Sequence, residues 1–267
     1  MSLARCGVFV NNVIVRGNKM RRLIIGDVHG SYRALMEVLE KASFSSDDQL
    51  YFTGDAADGY MDVYECLSFF MELGERFHPV IGNHDVWLQN WLLMDEAPYE
   101  WVSQGGRASI LSFERACVSP SRRREIGEFL LSWPYVISTE HEYICHGGPG
   151  DFASDDDMER LAALKRNPGY GCSLGEKIMW DRSYYVYADY DEKHDRSVKR
   201  FGKLSCSKRL FIGHSEIGTY EPLVSERYNL VNLDTGAGWA GCLTIMDMDT
   251  LEYWQSGKSK DLYREMR

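Results

Sequence analysis

Short apolar segments alternate with helical patterns along the first third of the chain. The apolar runs predict buried strands, and a glycine directly follows each of them. The predicted elements are strands at 22–25, 50–53 and 79–81, a helix that starts at the candidate N-cap Ser31 and ends near Ala42, and a helix at 63–73. This β-α-β-α-β order is typical of an open α/β sheet, in which ligands bind at the carboxyl ends of the strands.

The rest of the chain is predicted to contain helices first and then mostly strands. Residues 86–134 have a helical pattern, and strands are predicted at 136–145, 210–212, 229–233, 242–246 and 251–254. The last two strands are expected to pair across a turn at Asp249 and Thr250. The polar segment 151–205 gives no assignment, except that the acidic run 155–157 is typical of a helix start. Within it, the tyrosine-rich residues 184–190 are interpreted as either a substrate-facing loop or an edge strand.

Composition and charge exclude several classes of protein. Hydrophobic residues make up 44% of the 267 residues and charged residues 26%, which is typical of a soluble globular protein. No apolar run is long enough to span a membrane, and a net charge of −10 opposes non-specific binding to nucleic acid. The seven cysteines are scattered without a C-x-x-C pattern, which indicates free thiols and a cytoplasmic location.

The domain organisation is predicted to be simple. The chain carries no internal repeat, low-complexity tract or linker. We therefore expect one domain over residues 21–267. Residues 1–20 are interpreted as an N-terminal extension of unknown role.

Five short polar motifs follow predicted strands, where an α/β sheet places its chemistry. They are GDVHG (26–30), GDAADG (54–59), GNHD (82–85), HGG (146–148) and GH (213–214), and they contain four of the seven histidines. Each motif alone is typical of a turn. Together, in this order and each at a strand end, they predict one shared site.

The residue types in these motifs favour a site for two metal ions. Asp27 and His29 lie two apart on an extended segment and can face the same side, while Asp55 can bridge two cations. An amide oxygen and two imidazoles for the second ion come from Asn83, His146 and His214. This nitrogen and oxygen donor set suits two divalent ions, with Mn²⁺ as the first choice and Fe or Zn²⁺ as alternatives. Such a pair activates a bridging hydroxide for in-line attack on phosphorus, and it makes the site attractive to phosphate.

The motif series resembles that of the calcineurin-like metallophosphoesterases. More narrowly, the chain is similar to the phosphoprotein-phosphatase branch, which holds bacterial and phage serine/threonine phosphatases and symmetrical diadenosine-tetraphosphate hydrolases. IMWDRS (178–183), LFIGHSE (210–216) and NLDTGAGWAGCLTI (232–245) resemble later blocks of the bacterial and phage members, so that the resemblance covers residues 21–255. It implies an α/β fold with a central β-sandwich flanked by helices.

The resemblance also implies a role for each motif residue. One metal ion would be held by Asp27, His29 and Asp55, and the other by Asp55, Asn83, His146 and His214. His84 would be the general acid that protonates the leaving oxygen, and Asp58 would orient its imidazole. Asn83 and Arg182 would bind substrate phosphate. The alternatives from the residues alone are a turn residue for His84 and a helix N-cap for Asp58.

The chain departs from the phosphatase pattern at two arginine positions. Gly59 and Ile81 stand where the protein phosphatases usually carry the arginines that grip phosphate. Arg107 is interpreted either as a substitute for them or as a partner in a surface salt bridge. Asp85, in place of the usual glutamate, is expected to support the site from behind. Aromatic residues that could stack a nucleobase or pack a phosphopeptide, unless they are core, are Trp87, Trp91, Trp101, Tyr184, Tyr185, Tyr187, Tyr190 and Trp239.

The sequence thus favours a metal-dependent hydrolase acting on a phosphorylated substrate, either a phosphoprotein or a nucleotide, without a membrane or non-specific nucleic-acid partner. The first interpretation is a serine/threonine-type phosphomonoesterase that uses a metal-bridging hydroxide as nucleophile and His84 as acid. The second is a hydrolase of dinucleoside polyphosphates such as diadenosine tetraphosphate, which the missing arginines favour. The third is a degenerate module that keeps its metals without turnover.

Overall fold

The structure of the chain is a computed structural model that describes residues 20–166, 173–194 and 206–263. The N-terminal extension predicted over residues 1–20 lies outside this part of the chain, apart from Met20. The strands are β1 (Arg22–Ile25), β2 (Gln49–Phe52), β3 (Phe77–Pro79), β4 (Val136–Ser138), β5 (Glu142–Cys145), β6 (Arg209–Ile212), β7 (Leu223–Ser225), β8 (Leu230–Asn232), β9 (Thr244–Asp247) and β10 (Tyr253–Gln255).

These strands form two five-stranded mixed sheets. The first has the order β10-β9-β1-β2-β3, and the second has the order β4-β5-β6-β8-β7. Strands β1, β2 and β3 run parallel in the first sheet, as do β5, β6 and β8 in the second. Each sheet therefore presents three parallel carboxyl ends at one edge, where α/β folds bind ligands.

Side chains from both sheets meet in a buried layer between them. Ile24 of β1 and Met246 of β9 pack there with Ile144 of β5, Phe211 of β6 and Val231 of β8. Each side chain that leaves water in this layer contributes about 1.5–3 kcal/mol. The neighbouring residues on β1 face the other way, toward the helices, so that the strand is apolar on both sides. The expected α/β fold, with a central sandwich flanked by helices, is confirmed.

The helices cover the outer faces of the sheets. They are α1 (Tyr32–Lys41), α2 (Val63–Glu72), α3 (Asn83–Met94), α4 (Tyr99–Trp101), α5 (Arg107–Arg115), α6 (Pro120–Ser132), α7 (Asp155–Ala162), α8 (Ser173–Trp180), α9 (Ser183–His194) and α10 (Ser259–Leu262). Ser31 precedes α1, but its hydroxyl donates to the Ala237 carbonyl instead of capping the helix. No helix in the described ranges combines the length and apolar character that a membrane span needs.

The predicted helical stretch 86–134 is divided into several helices. The first begins earlier than predicted, at Asn83, and it ends at Met94, where the C-cap residue Asp95 adopts a left-handed conformation with φ of 60°. Between α4 and α5 the irregular segment Val102–Gly106 is kinked at Gln104 and Gly105. Pro98 and the Gly105–Gly106 pair mark these breaks in the sequence, and a prediction from the hydrophobic positions alone passes over them.

Two strand predictions were wrong in their bounds. The strand predicted at 79–81 ends at Pro79, because the Ile81 amide leaves the sheet and donates to the Pro134 carbonyl. The strand predicted at 136–145 is a hairpin of β4 and β5, closed by the Thr139 amide donating to the Glu142 carbonyl at 2.9 Å. The predicted pairing at the end of the chain is confirmed, since β9 and β10 are antiparallel.

Residues 184–190 are part of a helix, so that the loop and the edge strand predicted for them were both wrong. Tyr184, Ala188 and Asp191 of α9 are buried at a spacing of four and three residues, which is the helical period. The acidic run at 155–157 does begin a helix, and Ser154 and Asp157 cap it reciprocally.

Candidate metal centre and its comparison with known proteins

The predicted site residues lie at the carboxyl ends of strands from both sheets. Asp27 and His29 follow β1, Asp55 follows β2, Asn83 begins α3 after β3, His146 follows β5 and His214 follows β6. His29, Asp55, Asp58 and His214 have positive φ angles of 46°, 63°, 70° and 64°. Residues other than glycine rarely adopt this backbone conformation, and such strain is concentrated at functional sites.

Asp55 lies at the centre of two overlapping groups of metal-ligand atoms. One group is Asp27, His29 and Asp55, and the other is Asp55, His146 and His214; within each, all ligand atoms lie within 4.8 Å of one another. The Asp55 Oδ2 atom is 3.1 Å from His146 Nε2 and 3.6 Å from His29 Nε2. Asn83 joins the second group, with its Oδ1 3.0 Å from His146 Nε2. The six predicted ligands are therefore brought together.

Backbone carbonyls orient two of the imidazoles toward the centre. His29 Nδ1 is 2.8 Å from the Ala57 carbonyl, and His146 Nδ1 is 2.8 Å from the Thr53 carbonyl. This leaves the Nε2 atom of each ring directed at Asp55. Imidazole rings that bind metals in proteins are held in this way by a partner at the other nitrogen.

The electrostatics of the cluster favour cations at its centre. Burial and the nearby Asp234 carboxylate raise the pKa of Asp27. Burial lowers the pKa of His146, but the Asp55 carboxylate outweighs it and raises that pKa to about 10. Burial, together with His146, lowers the pKa of His214 to about 2, so that this ring is neutral. His214 Nε2 is buried and has no hydrogen-bond partner among the described residues, as expected of a ligand atom that binds an ion. The residues therefore fit two divalent ions.

His84 and Asp58 form a hydrogen-bonded pair beside the cluster. His84 Nδ1 lies 2.6 Å from Asp58 Oδ2. Burial lowers the pKa of His84, but the carboxylates of Asp55 and Asp58 outweigh this effect and raise it. The alternatives of a turn residue and a helix cap were wrong, because His84 lies in the first turn of α3 and Asp62 precedes α2.

Two further side chains hold Asp58, and neither was predicted from the sequence to do so. Trp101 Nε1 donates to Asp58 Oδ2 at 2.9 Å, and the Ser109 hydroxyl donates to Asp58 Oδ1 at 2.6 Å. Trp101 is completely buried, so it cannot stack on a substrate; the same is true of the buried Tyr184. The sequence around Trp101 and Ser109 gives no sign of their contact with Asp58. The two residues lie on separate helices, α4 and α5, and they meet Asp58 only in the folded chain.

A cavity of about 350 Å³ opens over the cluster. Its walls include His29, His84, His214, Glu216, Asp234 and Arg182. Arg182 also donates to the His214 carbonyl, which ties it to the site. Arg107 is exposed at the first turn of α5 and does not line this cavity. Glu216 and Asp234, two acidic residues of the cavity wall, were not among the predicted site residues.

Neither of the positions 59 and 81, where the phosphatase arginines are missing, provides a side chain that could bind phosphate. Ile81 is completely buried. Gly59 has a φ of 71°, and a Cβ atom there would lie 2.9 Å from the Cβ of His29. A larger side chain at position 59 would therefore displace a predicted metal ligand. Arg182 is the only arginine or lysine among the described residues that line the cavity.

A model of the calcineurin-like phosphoesterase family matches residues 20–232. The chain belongs to this family. As a calcineurin-like phosphoesterase it is a hydrolase of phosphate esters or anhydrides, and its family implies bound divalent metal ions. It is 37% identical over 276 residues to a protein of Vibrio cholerae named symmetrical bis(5'-nucleosyl)-tetraphosphatase, covering 88% of this chain and 97% of that one. A protein of Vibrio campbellii with the same name is 30% identical, covering 85% and 95%.

Solved structures of phosphoesterases share the fold. The metallophosphoesterase from Sphaerobacter thermophilus superposes with a TM-score of 0.54 at 17% identity, covering 92% of this chain and 94% of that one. A protein serine/threonine phosphatase from Saccharomyces cerevisiae superposes with a TM-score of 0.54 at 14% identity, covering 86% and 73%. At these identities the likeness shows the fold alone.

Asp85 supports the site of this phosphoesterase through the backbone. Its carboxylate accepts hydrogen bonds from the amides of Asp55, Ala56, Ala57 and Gly82, at 2.7–3.1 Å. Each carboxylate oxygen accepts two of these hydrogen bonds. The Asp85 side chain therefore ties the loop that contains Asp55 to the start of α3.

Replacing Asp85 by asparagine is expected to lower the free energy of unfolding by about 3 kcal/mol. The NH₂ group of asparagine cannot accept hydrogen bonds, so two of the buried backbone N–H groups would lose their acceptor. Urea denaturation of the purified variant measures this. Asp157→Asn, in the capping box of α7, is the control and is expected to lose much less, because Asp157 is only partly buried. Equal losses in the two variants would contradict the role of Asp85.

Proposed function

We propose that the chain hydrolyses dinucleoside tetraphosphates symmetrically, adding water to a central P–O–P bridge and releasing two nucleoside diphosphates. Its relatives at 30% and 37% identity, which it matches over most of their length, carry this name. The observation that carries the proposal is a complete ligand cluster with one arginine, Arg182, on the cavity wall. A site that grips phosphate weakly gains binding energy from the rest of a larger substrate.

The predicted ligands would hold the two ions as two overlapping sets. Asp27, His29 and Asp55 would hold one, and Asp55, Asn83, His146 and His214 would hold the other. When bound, these ions would polarise the phosphate and supply an attacking water at neutral pH. We propose Mn²⁺ as the native metal, with Fe and Zn²⁺ as the alternatives, because the donors are nitrogen and oxygen without thiolate.

The remaining groups act on the phosphate chain. Arg182 and Asn83 would hold phosphate oxygens. His84, whose pKa is raised by its carboxylate neighbours, would give a proton to the departing oxygen, while Asp58 holds the ring in place. Trp101 and Ser109 would act through Asp58 as positioning residues.

A serine/threonine-type phosphomonoesterase is the second candidate. The 2.6 Å contact between His84 and Asp58 favours it, because an alkoxide leaving group needs a well-placed acid more than a nucleoside diphosphate does. The third interpretation, a module without turnover, is disfavoured by the same intact pair.

A substrate panel tests the choice between the two reactions. We expect the Mn²⁺-loaded protein to have a kcat/KM for diadenosine tetraphosphate at least about a hundredfold above that for a phosphoserine peptide, because the nucleotide offers more binding energy. Product analysis by chromatography should give adenosine diphosphate alone. A higher kcat/KM for the peptide would instead support the phosphomonoesterase, and unequal nucleotide products would refute symmetrical cleavage.

We also propose a cytoplasmic location. The cysteines in the described part of the chain, Cys66, Cys117, Cys145, Cys206 and Cys242, are all free. Free thiols are typical of a reducing compartment.

A further inference from the structure

A second cavity, of about 420 Å³, lies beside the one over the metal-ligand cluster. Its walls include Tyr60, Met61, Gly238 and Tyr263. Three residues, Ser103, Gln104 and Trp239, line both cavities, so that the two are adjacent. We call this second space the Trp239 cavity.

One end of the Trp239 cavity is formed by backbone that packs against His29, a predicted metal ligand. A Cβ atom at Gly238 would lie 2.6 Å from Cδ2 of the His29 ring, and one at Gly59 would lie 2.9 Å from the His29 Cβ. Since both glycines line the cavity, its inner end is next to His29. A group bound in the cavity would therefore be adjacent to a phosphate bound at the cluster.

Trp239 presents an open aromatic face on a fixed backbone. Its side chain is 59% exposed. Its carbonyl accepts a hydrogen bond from the Tyr60 hydroxyl at 2.6 Å, and its amide donates to the Gly236 carbonyl at 3.1 Å. The Tyr60 ring packs in turn on Tyr263, with ring centroids 4.5 Å apart. The backbone that carries the indole is therefore fixed, and a tryptophan side chain has only two rotatable bonds to order when a planar ligand stacks on it.

The chemistry of the lining favours a neutral, aromatic ligand. The described residues around the Trp239 cavity include aromatic rings, Met61 and two polar side chains, but no charged one. Ser103 and Gln104 are exposed; the Ser103 hydroxyl donates to the Glu100 carbonyl and can still accept a hydrogen bond, and Gln104 offers an amide. A phosphate or an acidic peptide would lack a counter-charge here, whereas a base and its ribose would find a stacking face and polar partners.

We propose that the Trp239 cavity binds one nucleoside of a dinucleoside polyphosphate whose phosphate chain extends across His29, Asp55 and His84. This rests on the proposed function and assigns the part of the site that recognises the nucleotide. The cavity volume is within the range of small-molecule sites. Trp239 is thereby a specificity-determining residue, and the base stacks on its indole.

The test compares two inhibitors of aryl phosphate hydrolysis by the Mn²⁺-loaded full chain. They are adenosine 5'-tetraphosphate and inorganic tetrapolyphosphate, which have the same number of phosphates and differ in the nucleoside. In the unaltered protein, we expect the adenosine compound to have an inhibition constant at least about tenfold lower. Trp239→Ala should remove most of this difference, and Trp239→Phe should restore most of it, because a phenyl ring can still stack.

Tyr99→Ala is the matched control, because Tyr99 is an aromatic residue that is 81% exposed and lines neither cavity. It should leave the ratio of the two inhibition constants within about twofold. Equal constants for the two inhibitors in the unaltered protein would overturn the nucleoside site, and so would an undiminished ratio in Trp239→Ala. If diadenosine tetraphosphate stays intact while the adenosine preference persists, the proposed reaction fails and the nucleoside site stands.

Discussion

Replacing Asp55 by asparagine is expected to lower kcat/KM by at least about a thousandfold on every phosphoester tested. Asp55 is the one carboxylate shared by both groups of ligand atoms. An amide in its place removes a negative charge and places a weaker ligand next to His29 and His146. Both proposed ions therefore lose affinity at once, whereas a change at His214 affects one.

The fold of this variant should remain intact. Asp55 Oδ1 accepts a hydrogen bond from the His84 amide at 3.0 Å, and an asparagine carbonyl can keep that bond. We expect circular dichroism spectra like those of the unaltered protein. Metal analysis after dialysis should find fewer Mn²⁺ ions per chain, which gives a measurement that is independent of activity.

Asp191→Asn is the matched control, because Asp191 is also a buried carboxylate but lies on α9, where it accepts a hydrogen bond from Tyr228. We expect it to keep its metal content and most of its activity. If Asp55→Asn retained two ions per chain and most of its kcat/KM, the proposed metal centre would be wrong.

The second large effect is expected from His84→Ala, and it should depend on the leaving group. Without the imidazole, a substrate with an alkoxide leaving group loses its proton donor, and its kcat should fall by about 10²–10⁴-fold. Nitrophenolate and a nucleoside diphosphate leave as more stable anions. Their losses should be at least about tenfold smaller, because they need less help from an acid.

The measurement is a series of kcat values for alkyl phosphates, nitrophenyl phosphate and diadenosine tetraphosphate. His78→Ala serves as the control, since His78 is a half-buried histidine on β3 that contacts Gln49 away from the cluster. It should change none of the three rates by more than about twofold. An equal loss on all three substrates in His84→Ala would rule out the role of general acid.

The strand-end motifs could be located from the sequence because their signals are local. A strand such as β1 is a short apolar run, and the polar motif after it marks the carboxyl end of a parallel strand. The order of the motifs then predicts the cluster around Asp55. The helix α9 was missed because its polar and aromatic composition hides a helical period that only burial makes visible.

The contacts between distant segments could not be predicted. Trp101 and Ser109 reach Asp58 from two helices, and Asp85 binds four amides at the ends of two strands. The Trp239 cavity joins the loop after β2, the kink at Gly105 and the loop before β9. None of these segments has a pattern that indicates its neighbours, because such contacts depend on how two sheets and their helices pack.

The sequence by itself indicated the fold family, through the resemblance of its motif series, and it determined the set of polar residues at the strand ends, which follows from periodicity and spacing along the backbone. Only the tertiary structure decided how the site is built: which groups hold Asp58, why a side chain at position 59 would press on His29, and where an aromatic cavity opens beside His29. The physical reason is that pairing and turns act over a few residues, whereas cavities and buried hydrogen bonds arise where segments far apart in sequence exclude water together.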